Sequence, residues 1–104
     1  MKRYKVISKP EVREDLRGIF AYISNDLKEH AAAQRICDLI ETEISALNQF
    51  PMRVAVIEDE PFAAKGIRRL LIKNYTIFYI VDNPAEEVHV LRVVYNRREW
   101  NSLM

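Results

Sequence analysis

The sequence predicts an α+β domain: an N-terminal strand and an antiparallel helix hairpin packed on one face of a small, mainly antiparallel β-sheet. Three observations carry this. Two consecutive stretches repeat apolar residues at three- and four-residue steps, three later stretches are short and β-branched or aromatic with turn residues between them, and only two glycines occur in 104 residues. A chain of this length forms one domain, residues 1–104, with room for one core.

Arg3 to Ser8 reads as an opening strand, with Tyr4, Val6 and Ile7 as its apolar members. The stretch SKPE sets Ser8 three residues before Glu11 with Pro10 between, which predicts a capping box at the start of a helix. Val12, Leu16, Ile19, Phe20 and Ile23 form the stripe of that helix, while Arg13, Glu14 and Arg17 lie away from it. SNDLKEH breaks the pattern, and a second helix is expected from about Glu29 to Asn48. Its stripe is Ala33, Ile36, Cys37, Ile40, Ile44 and Leu47. So short a break predicts a hairpin.

Pro51 ends the second helix by forcing Phe50 out of helical geometry. Residues 52–66 read as an acidic loop with a candidate strand fragment at Val54 to Ile57. Strands are expected at Ile67 to Ile72, Tyr75 to Val81 and Val88 to Tyr95, with Lys73-Asn74 as a tight turn and DNPAEE as a longer loop, so that neighbours run antiparallel. The middle strand is apolar on both alternating sets: Ile77, Tyr79 and Val81 against Phe78 and Ile80. Two helices side by side span about 20 Å, which four strands at roughly 4.8 Å also need, so they cover one face only. The second face must be covered by the loop before Gly66, by a second copy or by a partner.

The net charge is +1, which predicts no general attraction to polyanions. From Phe62 onward, however, seven basic residues stand against four acidic ones, so the excess lies in the C-terminal part. No stretch reaches the roughly 20 apolar residues of a membrane span. A single cysteine allows no internal disulfide, and a cytoplasmic protein without membrane contact is expected.

The stretches DLRGIFAYI (Asp15, Leu16, Ile19, Tyr22, Ile23), the alanines 31 to 33, the series Ile40, Ile44, Leu47, Pro51, and RRLLIKNYTIFYIVD followed by VLRVVYNRREW together resemble the RelE/ParE superfamily of bacterial toxins. The likeness covers nearly the whole chain and is nearer to the ParE branch. It implies the toxin of a type II toxin-antitoxin, or plasmid-stabilisation, module. A cognate antitoxin would neutralise it in a hetero-oligomer, wrapping it with a partly disordered segment and alone contacting operator DNA.

The superfamily divides by target. RelE-like members cut mRNA on the ribosome with basic and aromatic residues; ParE-like members poison DNA gyrase and have no known active site. The RNA-cleaving branch carries an important arginine where this chain has Thr76, and a catalytic arginine or His-Tyr pair near the position of Asn96. These departures point to gyrase inhibition, with ribosome-dependent cleavage of mRNA as the alternative and a non-toxic binding module as a third reading.

RNA cleavage through the 2′-hydroxyl needs a base, a cation for the phosphorane and an acid. Arg68, Arg69, Tyr95, Arg97 and Arg98 are the catalytic candidates if the chain is a nuclease, and Arg92, Tyr95, Arg97 and Arg98 are the target- or partner-binding candidates. Arg92 shares the alternation of Val88, Val90 and Val94, so it is either an edge residue reaching to water or part of a groove for a partner's carboxylate, the second being favoured. Arg68 and Arg69 point to opposite faces, so only one of them can join Arg92. Cys37 is expected in the core, His30 at the surface of the hairpin turn, and Trp100 as a latch for the tail. His89 with Glu86 and Glu87 does not make a convincing metal set, nor does the acidic run 58–60. No metal or cofactor is expected.

Overall fold

The computed structural model describes residues 2–96. Along them run β1 (Lys5–Ser8), α1 (Pro10–Ala21), a π-helical turn (Tyr22–Asp26), α2 (His30–Ser45), a 3-10 turn (Ala46–Asn48), β2 (Arg68–Ile72), β3 (Tyr75–Asp82) and β4 (Glu87–Tyr95). The four strands form one mixed sheet in the order β1-β4-β3-β2. β2, β3 and β4 are antiparallel to their neighbours, while β1 lies parallel to β4, with Lys5 opposite Glu87 and Ser8 opposite Val90. That parallel pairing follows from the connection, because a helix hairpin intervenes where a tight turn would give the antiparallel sense.

The expected capping box is not formed. Ser8 ends β1 and Lys9, with extended backbone, caps α1 without a side-chain bond. The Lys9 amide donates to the Val90 carbonyl at 2.9 Å, so strand pairing holds the chain extended through Lys9. Pro10 then takes the first helical position, where the lost amide hydrogen costs nothing. At the other end the break comes later than SNDLKEH implies. Ser24 to Asp26 continue as a π turn, with the Leu27 amide donating to the Tyr22 carbonyl, and Lys28 at φ 57° makes the reversal into α2.

Both predicted stripes face the sheet. Val12, Ile19 and Ile23 from the first helix and Ala33, Cys37, Ile40 and Ile44 from the second enclose a core with Tyr75, Ile77, Tyr79, Val88, Val90 and Val93. Tyr79 is fully buried, and its hydroxyl donates to the Pro51 carbonyl at 2.6 Å, so a large core side chain also anchors the turn after α2.

The second face is covered in part by the loop before Gly66. Phe62 lies parallel to Phe78 at 6.1 Å, and both are buried together with Ile67. The candidate strand at Val54 to Ile57 reduces to one bridge, Val56 to Arg68. Leu71 on this face is 55% exposed.

A bulge in β4 alters the expected alternation. Tyr79 pairs with Val90 but Phe78 pairs with Arg92, so Leu91 is the extra residue. Val88 and Val90 therefore enter the helix-side core, whereas Leu91 and Val94 pack against the Phe62 cluster. The single face shared by Val88, Val90, Arg92 and Val94 does not exist.

Candidate functional site

At the bulge Arg92 lies opposite Phe78, beyond the end of the short β1, where β4 borders α1. Its guanidinium donates to Asp15 twice, Nε to Oδ2 at 2.8 Å and Nη2 to Oδ1 at 2.7 Å. Asp15 Oδ2 also accepts the Val93 amide at 2.9 Å. The Asp15 and Arg92 side chains are only 11% and 26% exposed. The hydrogen bonds to Asp15 hold the guanidinium more firmly protonated than usual, with burial opposing and the Asp15 and Glu11 charges assisting. The carboxylate expected from a partner is thus met by one from α1 of the same chain.

Register decides which arginine joins Arg92. Arg69 and Arg92 flank Phe78 from either side, forming one row across three strands on the second face. Arg68 lies opposite Tyr79 on the helix side and donates to the Val54 carbonyl. Burial pushes the Tyr79 hydroxyl above its ordinary range, against the opposing pull of Arg68 and Arg53.

Thr76 and Asn96, the two positions that depart from the RNA-cleaving pattern, meet each other. The Thr76 hydroxyl donates to Asn96 Oδ1, and the Asn96 amide donates to the Asn74 carbonyl at 2.8 Å. Thr76 is fully buried, so this corner holds a neutral bonded pair. Tyr95 pairs with Tyr75 on the helix side, ring edge to ring face at 5.6 Å, and is 51% exposed. It rims an apolar groove of about 720 Å³ between the hairpin tip and the β2–β3 turn, with Ile19, Ile23 and Ile36 in its wall and Tyr22 and Leu27 at its mouth. Burial, then the neighbouring Tyr95, raise the Tyr75 hydroxyl.

The catalytic candidates are therefore dispersed: Arg69 lies on the second face, while Arg68 and Tyr95 lie at opposite ends of the helix side. Arg97, Arg98 and Trp100 fall outside the described residues. Cys37 is buried and burial pushes its thiol up, with Glu41 and Asp38 acting in the same direction. His30 is exposed at the hairpin tip, bonded to Ser24 and edge-on to Phe20 at 6.0 Å.

Sequence reasoning missed Asp15 as the partner of Arg92 and Asp82 as a neighbour of His89. Both are cross-strand or strand-to-helix contacts with no local spacing signal.

A strand, a helix hairpin on one sheet face and three antiparallel strands make up the α+β fold of RelE/ParE-type toxins. Residues 6–100 match the family described as the ParE toxin of the type II toxin-antitoxin system parDE, and the chain belongs to that family. A search of curated proteins finds no match.

Among solved structures the chain is similar to one from the chromosomal ParDE system of P. aeruginosa, at 18% identity and TM-score 0.74, covering 91% of this chain and 98% of that one. It is also similar to a chain of the RelBE2 toxin-antitoxin complex of Mycobacterium tuberculosis, at 22% identity and TM-score 0.67, covering 92% and 94%. The isolated RelE toxin of E. coli follows at 16% identity and TM-score 0.51, covering 96% and 93%.

Proposed function

We propose that this toxin arrests growth by inhibiting DNA gyrase and is held inactive by a cognate antitoxin. The observation that carries the choice of target is the bond between the buried Thr76 and the exposed Asn96. A ribonuclease site needs cations and proton donors converging on a phosphate. At this corner two neutral side chains satisfy each other, and the nearby Arg92 is engaged by Asp15. The match to the ParE family supports the same reading.

The exposed Tyr22, Leu27 and Tyr95 around the groove support an antitoxin partner, because large apolar side chains clustered at a groove mark protein contact. Free toxin then associates or is poorly soluble, and bound antitoxin raises its melting temperature by mass action. Induced expression in a bacterial host tests the target. Growth arrest with a DNA-damage response and intact transcripts is the expected outcome; cleaved transcripts with undamaged DNA would move the chain to the ribosome-dependent nucleases.

A further inference from the structure

The turn end of the β3–β4 hairpin brings together three metal-ligating side chains that the toxin reading does not use. Asp82, Glu87 and His89 each offer a ligand atom, all within 4.8 Å of one another. The strand register explains how. Asp82 and Glu87 are directly opposed, and His89 lies two residues along β4 from Glu87, so all three project from the second face. Glu86, the residue that proximity in sequence points to, turns away at φ 55° and approaches Lys2 at 3.8 Å.

Two features go beyond mere proximity. First, like charges directly opposite in an antiparallel pair repel. Lys5, the other cross-strand neighbour of Glu87, makes no ion pair with it among the described residues. A divalent ion held between the two carboxylates cancels that repulsion. Second, the donor set is mixed, and His89 lies between Ile7 and Ile80 in its cross-strand row, which gives the imidazole an apolar flank.

We propose that Asp82, Glu87 and His89 bind one divalent transition-metal ion, with Zn²⁺ the best fit. Zinc takes histidine nitrogen and carboxylate oxygen at about 2.1 Å, so its tetrahedral ligands stand about 3.4 Å apart. His89 Nε2 and Glu87 Oε1 are already 3.0 Å apart, and both side chains are about one-third exposed, free to adjust to an ion. Asp82 uses Oδ1 to accept the Ala85 amide at 3.1 Å, which leaves Oδ2 for the metal. Three protein ligands leave the fourth position to water. The ion would tie β3 to β4 beside the first residue of β1, whose amide donates to the Glu86 carbonyl at 2.9 Å.

The test is titration of the tag-free, metal-stripped full chain with ZnCl₂ by calorimetry, together with Co²⁺ substitution read by visible absorption. The expected results are one Zn²⁺ per chain, a tetrahedral Co²⁺ spectrum, and at least about a tenfold loss of affinity in His89→Ala and in Glu87→Gln. His30→Ala, which removes the other histidine, should bind as the parent does. Should Glu87→Gln fail to fold, His89→Gln measured alongside circular dichroism gives the same reading. No binding at micromolar zinc, unchanged affinity in the His89 variants, or loss of binding in His30→Ala would overturn the site.

Discussion

Asp15 serves two purposes at once: it clamps the guanidinium of Arg92 and it takes the Val93 amide just past the β4 bulge. Removing it takes two hydrogen bonds from a partly buried cation and the acceptor from the Val93 amide, so Asp15→Ala should cost about 3 kcal/mol, and Arg92→Ala about 2 kcal/mol. Urea denaturation measures both. If Arg92 served only as a target contact, its alanine variant would lose toxicity with unchanged stability. The raised Arg92 pKa keeps the guanidinium charged at every physiological pH, so alkali within that range does not weaken the clamp. Tyr79 behaves differently. Its folded pKa lies above the ordinary value of 10.0, so the stability carried by the neutral hydroxyl is complete below that value and is lost as pH rises through the folded pKa. Stability should therefore fall above about pH 10, and less steeply in Tyr79→Phe, as read by denaturation across an alkaline series. Thr76→Arg, which restores the residue of the RNA-cleaving branch, places a long cation in a fully buried position. It should destabilise the fold by about 3 kcal/mol or more without creating nuclease activity.

Among the elements, both helices and all three later strands were legible because their apolar periods differ, 3.6 against 2, and because Pro10, Pro51 and the DNPAEE loop punctuate them. The bulge was not. Val88, Val90, Arg92 and Val94 alternate without a break, and nothing local says that Leu91 is an extra residue that puts Val88 and Val90 on the face opposite Arg92. Its true partner on α1 lies 77 residues away. The capping box failed for a related reason: a local signal lost to a long-range strand bond between Lys9 and Val90. The loop over the second face was one of three expected covers, and Phe62 supplies it. Phe62→Ala should cost about 3 kcal/mol and expose Phe78, raising binding of a hydrophobic dye.

At the scale of the whole molecule, the mixed sheet puts the catalytic candidates among the described residues on different faces, leaves an apolar groove on the helix side and holds Thr76 against Asn96 as a neutral bonded pair. No helix among the described residues is long and apolar enough to cross a membrane. The fold and the family were readable because they rest on the order of elements and on patterns spread through the whole chain. The proposed target rests on a few side chains whose meeting depends on register, such as Thr76 with Asn96, and sequence spacing alone could not bring them together. DNA supercoiling by purified gyrase, measured with increasing amounts of the toxin, tests the central claim most directly. The account predicts dose-dependent loss of supercoiling that added antitoxin reverses. Undiminished supercoiling at excess toxin, with cleavage of mRNA on added ribosomes, would contradict it.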